Sequence, residues 1–126
     1  MGSKDNYQNE WERLLKSFSN AMNGIMNVIR NERNMQIHLV LSIIVIGLGW
    51  LVHLSRVEWM IVIVLIGGMF CLEIVNTAIE RTVDLITKEY HPLAKIAKDI
   101  SAGAVFVFAI ISVIIGLLIF LPRFPL

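Results

Sequence analysis

The sequence has little of what a soluble domain or a nucleic-acid-binding protein needs. Charged residues make up only 17% of the 126 residues, hydrophobic residues make up 56%, and the formal net charge is +1. So small a net charge gives no electrostatic basis for binding nucleic acid, and so apolar a composition excludes an ordinary soluble domain. The single cysteine, Cys71, has no partner within the chain for a disulfide or a metal site. We expect one small integral membrane domain over residues 1–126.

Charge is absent from two long stretches of the chain. Residues 35–55 and 100–121 contain no Asp, Glu, Lys or Arg, and each stretch is long enough to cross a bilayer. A further apolar run begins at Trp59, and the helix predicted from it continues without a turn signal to residue 85. We predict membrane spans at about residues 35–55, 59–85 and 100–121. His38 and His53 lie near the two ends of the first span, and we interpret both as interfacial residues.

The segment before the spans has a mixed pattern over residues 10–30. Its polar residues take one side of a helix, and Arg13 and Asn20 lie there two turns apart, either solvated or binding a ligand. Its apolar residues recur at helical spacing, at Trp11, Leu14, Leu15, Phe18, Met22, Ile25, Met26 and Ile29. This pattern predicts an amphipathic surface helix lying in the plane of the membrane interface.

The basic residues predict the orientation. Nine of the eleven lie before the first span, at the carboxyl end of the second span (Arg81) or between the second and third spans, and only Arg56 and Arg123 lie elsewhere. The positive-inside rule places the side rich in lysine and arginine in the cytoplasm. We therefore expect a cytoplasmic amino terminus and a cytoplasmic connection at residues 87–99.

Four polar residues lie in the carboxyl half of the predicted second span, residues 59–85. Glu73, Asn76, Glu80 and Asp84 are spaced by three, four and four residues, which puts them on one face of a helix. A charged stripe cannot face lipid, so it should face a protein-lined or aqueous cavity. The alternative, acids solvated where the helix leaves the membrane, fits Asp84 best and Glu73 least. Three spans alone should not shield this stripe, so we expect neighbouring subunits to complete the site.

Grouped carboxylates at a membrane surface can bind a hard cation, relay protons or act as a general base. Glu32 and Glu80 could hold Mg²⁺ with substrate phosphates if the surface helix folds back, and Lys98 could offset phosphate charge. Glu73 lies deeper, where the hydroxyl of a lipid head group would be. The chain has neither a Walker-type glycine-rich loop nor a protein-kinase signature. The residues by themselves therefore predict only a carboxylate-lined cation site on the cytoplasmic side.

The sequence EIVNTAIERTVD at residues 73–84, with EYH at 89–91 and AKD at 97–99, resembles the signature of the small prokaryotic diacylglycerol kinase family. The resemblance covers nearly the whole chain. It implies an all-α homotrimeric helical bundle in the bacterial cytoplasmic membrane, with composite active sites that phosphorylate a lipid hydroxyl with MgATP. It implies that Glu73 is the catalytic base, that Glu32 and Glu80 are magnesium ligands, and that Asn76 and Asp84 support the site. The residues implied to bind ATP are Arg13, Asn20, Glu32, Glu80, Glu89, Tyr90, His91, Lys98 and Asp99.

Two further segments bear on the substrate. LIGGMF at residues 65–70 and HPLAKIAKD at 91–99 are similar to the Gram-positive branch of this family, whose members act as undecaprenol kinases. Asn20 and residues 35–38 differ from the enterobacterial pattern. The resemblance therefore favours undecaprenol as substrate, with diacylglycerol as the alternative. A small cation-coupled transporter and an accessory membrane subunit are alternatives of another class, but a transporter would need its acid accessible from both sides.

Overall fold

The computed structural model describes the backbone of residues 3–125 and the side chains of residues 9–125. Regular structure in that range is entirely helical. The elements are α1 (Ser3–Asn31), α2 (Arg33–Leu51), α3 (Arg56–Ile86), α4 (Pro92–Phe120) and a short 3₁₀ helix (Leu121–Arg123). The helices α2, α3 and α4 are long and apolar enough to cross a membrane. The predicted all-helical class with three long apolar helices is confirmed.

The chain divides into two compact units, Met1–Glu32 and Arg33–Leu126. The first unit contains α1, a single helix that begins well before residue 10. Two large aromatic side chains of this helix are well exposed, Trp11 at 62% and Phe18 at 68%. Its position at a membrane interface stays a prediction.

In the second unit, α2 ends at Leu51, four residues before the end of the expected span. The N–H of His53 donates to the carbonyl of Trp50 (3.4 Å), and the N–H of Leu54 donates to the carbonyl of Gly49 (3.1 Å). His53 has a φ of 56°, so these bonds form the Schellman motif that closes many helices. Glycine usually occupies the left-handed position of this motif. With histidine there, no stop signal was visible in the sequence.

The start of α3 is fixed by a capping box. Ser55 Oγ accepts from the N–H of Glu58 (3.2 Å), and Glu58 Oε2 accepts from the N–H of Ser55 (3.2 Å). These reciprocal bonds satisfy N–H groups that the first turn leaves without helical partners. From this cap α3 runs for 31 residues. Its apolar half and its polar stripe therefore belong to one continuous helix.

The helix α4 begins at Pro92, although the expected third span begins at residue 100. His91 is the N-cap residue, and its Nδ1 accepts from the N–H of Leu93 at 3.2 Å. Proline suits the first helical position because its missing N–H would have no partner there. Residues 92–99 are consequently the first two turns of α4, and the connection after α3 is short.

Close packing joins α3 to α4 along much of their lengths. A Cβ atom built on Gly68 would lie 2.5 Å from Cζ of Phe108, so glycine is what lets the Phe108 ring lie against α3. Val62 and Met69 are buried nearby. At the far end of the unit, Arg123 pairs with Glu58. These contacts hold α3 and α4 antiparallel and fix which of their polar residues meet.

Candidate active site

The carboxylate of Glu73 is withdrawn from water on α3. Only 4% of the Glu73 side chain is exposed, and its Oε1 lies 3.3 Å from Nε2 of His38 on α2. The His38 side chain is 22% exposed. Burying a charged or polar group is costly unless a polar partner compensates. Glu73 is therefore not a helix-end acid in water, and His38 supplies a partner for it from another helix.

Asn76 lies one turn further along α3 and is also buried. Its Oδ1 accepts from Ser101 Oγ on α4 (2.7 Å), and its Nδ2 donates to Oε1 of Glu80 (3.4 Å). The Glu80 carboxylate only accepts, so it requires the amide nitrogen, and the Ser101 hydroxyl then donates to the amide oxygen; both contacts agree with one amide orientation. The resulting chain Ser101–Asn76–Glu80 links α4 to the half-buried carboxylate of Glu80.

The burial of Glu73 and Asn76 corrects one expectation from the sequence. Both residues are already buried within a single chain, where Glu73 is 3% exposed and Asn76 is 6% exposed. Shielding of the stripe therefore does not by itself require other subunits at these two positions. The reason is that α2, α3 and α4 supply small and polar partners whose approach could not be read from the spacing on α3 alone.

Two ion pairs lie beyond this chain of hydrogen bonds. Lys98 Nζ on α4 lies 2.5 Å from Asp84 Oδ1 on α3, and Lys95 Nζ lies 2.6 Å from Asp99 Oδ2 one turn apart on α4. All four side chains are at least one-third exposed, so each pair adds little to stability. Lys98 and Asp99 are accordingly accessible at the end of the helix pair, with each charge balanced by a neighbour.

The connection between α3 and α4 brings together the predicted residues Glu89, Tyr90 and His91. The N–H of Glu89 donates to Thr87 Oγ1 (3.2 Å), while the ring of Tyr90 is 82% exposed. These three residues and Lys98 line an open pocket of about 310 Å³. The pocket offers a cation, an aromatic ring and an imidazole to one ligand.

The remaining predicted residues belong to the first unit. Arg13 and Asn20 are exposed on α1. Glu32 directly follows α1, and its N–H donates to the carbonyl of Val28 at 2.9 Å. Their contribution to the site stays a prediction.

The capacity of the site to hold a metal ion depends on how its carboxylates and imidazoles are grouped. Among the residues with described side chains, no three of His, Cys, Asp and Glu are grouped so as to hold an ion. The side chains that the structure describes therefore do not form a protein-only cage of the kind common for Ca²⁺. Magnesium usually needs only one or two carboxylates, with substrate phosphates and water completing its shell. The half-buried Glu80, oriented by Asn76, fits that requirement.

An apolar groove of about 350 Å³ lies between α2, α3 and α4. His38 lies at the end nearer Glu73, and Gly116, Ile119 and Phe120 lie toward the carboxyl end of α4. The lining is almost entirely hydrocarbon, as a lipid chain would need. The groove therefore places an apolar surface next to His38, which contacts the buried carboxylate of Glu73.

Two residues of this site were missed from the sequence. His38 was interpreted as interfacial and Ser101 was not singled out, yet both contact the polar stripe on α3. His38 is the one titratable residue in α2 beyond its first turn, and that isolation in an apolar helix is the signal that could have marked it.

The fold and the site define a class: an all-helical membrane protein with a buried carboxylate at the head of an apolar groove. Residues 19–120 match the family described as prokaryotic diacylglycerol kinase. The chain is 60% identical to an undecaprenol kinase of Bacillus subtilis over 98% of this chain and 99% of the relative. It is 39% identical to a diacylglycerol kinase of Synechocystis sp., over 91% of this chain and 68% of the relative. A diacylglycerol kinase of Pseudomonas aeruginosa is 32% identical over 76% of this chain and 78% of the relative.

The chain belongs to the prokaryotic diacylglycerol kinase family. Membership of this family makes it a lipid kinase. The predicted family and enzyme class are confirmed. The transporter and accessory-subunit alternatives are set aside.

Proposed function

We propose that this protein transfers the γ-phosphoryl group of ATP to the hydroxyl of undecaprenol and forms undecaprenyl phosphate. The observation that carries this proposal is the 60% identity to the Bacillus subtilis undecaprenol kinase over almost the full length of both chains. The apolar groove supports it, because a polyprenol is a long hydrocarbon with one polar end. Diacylglycerol is the second candidate, because the relatives from Synechocystis sp. and Pseudomonas aeruginosa are diacylglycerol kinases.

Glu73 is proposed as the general base. As the lipid oxygen bonds to the γ-phosphorus, its proton passes to the Glu73 carboxylate, the bond from that phosphorus to the β,γ-bridging oxygen breaks, and ADP leaves with the electron pair. Burial suits Glu73 to this role because the hydroxyl of a lipid in the groove arrives beside it rather than in bulk water. Exclusion of water also disfavours transfer of the phosphoryl group to water.

Glu80 and Glu32 are proposed to hold Mg²⁺ together with the phosphates of ATP. When bound, the ion would neutralise negative charge on the phosphates. Glu80 is held for this role by Asn76, which Ser101 orients in turn. Asp84 supports the site by pairing with Lys98. The residues proposed to contact the nucleotide are Arg13, Asn20, Glu32, Glu80, Glu89, Tyr90, His91, Lys98 and Asp99.

We further propose a homotrimer in the bacterial cytoplasmic membrane, with the amino terminus in the cytoplasm and α1 in the membrane interface. The exposed Trp11 and Phe18 of α1 support its interfacial position, and the distribution of basic residues supports the orientation. The trimer rests on the family resemblance. The mass of the solubilised protein, corrected for detergent, should equal three chains of 14.3 kDa, and a monomer mass would contradict the trimer.

Phosphate transfer to the two lipids tests the proposed substrate. Purified protein is mixed with γ-labelled ATP and with undecaprenol or diacylglycerol at the same mole fraction in detergent micelles. We expect kcat/KM to be at least tenfold higher for undecaprenol, because a difference in the apolar contacts that two substrates make usually changes kcat/KM by about that factor. Removal of Mg²⁺ with EDTA should stop transfer, and added Mg²⁺ should restore it.

The control for this assay is Glu73→Gln, which keeps the shape of the side chain but cannot take the proton. A preference for diacylglycerol would contradict the proposed substrate and leave the kinase intact. Absence of transfer to either lipid, with folded protein and bound nucleotide, would contradict the proposed reaction.

A further inference from the structure

His38 on α2 is a partner of Glu73, and the proposed function gives it no role. Its Nε2 lies 3.3 Å from Oε1 of Glu73. The same side chain lines the apolar groove at the end near Glu73. His38 therefore stands at the point where the groove meets the buried carboxylate.

A carboxylate that is 4% exposed has few water molecules to orient it, so its direction depends on protein donors. A neutral imidazole carries one N–H donor. When Nε2–H is that donor, it binds Oε1 and leaves Oε2 directed elsewhere. The Nε2–Oε1 separation of 3.3 Å is a close approach of the two groups, and catalytic hydrogen bonds are often long or poorly aligned until substrate binds.

We propose that His38 is the positioning residue of Glu73: its Nε2–H holds Oε1, so that Oε2 faces the hydroxyl of the lipid in the groove. This inference rests on the proposed role of Glu73 as base. His38 itself neither receives the hydroxyl proton nor contacts the nucleotide. It acts on turnover only through Glu73.

A double-mutant cycle tests the inference. His38→Leu removes the donor, and His38→Gln keeps an amide donor at a similar reach. We expect His38→Leu to lower kcat about tenfold or more, the usual effect of losing a hydrogen bond to a charged group, with little change in the apparent KM for MgATP. His38→Gln should recover most of the loss. In a Glu73→Gln background, His38→Leu should change the residual kcat by less than about twofold, since its effect passes through Glu73.

The control for loss of a histidine from α2 is His53→Asn. His53 lies beyond the other end of α2 with a φ of 56°, a conformation that asparagine tolerates, and kcat should be unchanged. If His38→Leu fails to yield folded protein, the same cycle is run with His38→Asn, whose amide reaches the position of Nδ1 rather than that of Nε2. Thermal unfolding in detergent establishes that each compared variant is folded.

Two results would overturn the inference while leaving the proposed function intact. One is a His38→Leu variant with the kcat of the parent protein. The other is a decrease in kcat in the double variant that equals the product of the decreases in the two single variants. His38 would then act independently of Glu73. Failure of the proposed function is recognised separately: Glu73→Gln alone would retain the parent kcat.

Discussion

At the scale of single residues, the amide of Asn76 decides how Glu80 is presented. Its Oδ1 accepts from Ser101 and its Nδ2 donates to Glu80. If the Ser101 hydroxyl is removed, Asn76 Oδ1 loses its partner on α4, and the amide that donates to Glu80 is held less firmly. Glu80 would then lose part of the orientation that a magnesium ligand needs.

We therefore expect Ser101→Ala to raise the apparent KM for MgATP about three- to tenfold with a nearly unchanged kcat, the usual effect of one lost buried hydrogen bond. Thr82→Ala is the control, because the exposed Thr82 hydroxyl donates to the Ala78 carbonyl of its own helix at 2.7 Å. Steady-state kinetics with varied MgATP separates the two parameters. An unaltered KM in Ser101→Ala would show that the Asn76 amide does not need Ser101.

At the scale of helices, Gly68 determines how closely α4 approaches α3. A Cβ at this position would lie 2.5 Å from Cζ of Phe108, whereas a Cβ on the neighbouring Gly67 would have no atom of another helix within 4 Å. Gly68→Ala should destabilise the protein by about 1–3 kcal/mol, the usual cost of overpacking. Gly67→Ala should be neutral or slightly stabilising, because alanine favours a helix more than glycine does.

Unfolding of both variants in the same detergent measures this difference. Replacing Phe108 by Leu in the Gly68→Ala background should restore part of the stability, because the clash involves the end of the ring. Equal stability of the Gly68→Ala and Gly67→Ala variants would mean that Phe108 can move aside without cost, and that Gly68 does not set the helix spacing.

The helices could be predicted from the sequence more completely than their ends. Long uncharged runs dictate membrane-length helices because their backbone groups must be satisfied within the segment. The end of α2 could not be read in this way, since histidine rather than glycine adopts the left-handed conformation at position 53. The helix α4 begins earlier than the predicted third span because Pro92 occupies its first position. The sequence did not show this, since proline in a charged segment also fits a loop.

The contacts across the site show a similar limit. Helical spacing correctly placed Glu73, Asn76, Glu80 and Asp84 on α3, because that relation is local. Their partners lie on other helices, His38 in α2 and Ser101 and Lys98 in α4. Pairings across 35, 25 or 14 positions depend on the rotation and register of each helix, which periodicity in one helix does not determine.

At the scale of the whole molecule, the distribution of basic residues makes the orientation testable. Cysteines introduced singly at Ser3, Lys88 and Phe124, in a background where the exposed Cys71 is alanine, are labelled with an impermeant reagent in sealed vesicles. We expect positions 3 and 88 to label from the cytoplasmic side and position 124 from the other side, because basic segments stay in the cytoplasm. Labelling of positions 3 and 124 from the same side would contradict three spans.

The most direct test of the central claim, that Glu73 takes the proton of a lipid hydroxyl, is the single-turnover rate of phosphoryl transfer to undecaprenol by Glu73→Gln, with MgATP binding measured on the same protein. We expect the rate to fall about a hundredfold or more, as for a lost general base, while MgATP binds as tightly as in the parent. Glu80→Gln should show the opposite pattern, with weakened MgATP binding. A Glu73→Gln protein that transfers phosphate at the parent rate, or that loses MgATP binding while Glu80→Gln retains it, would contradict this account.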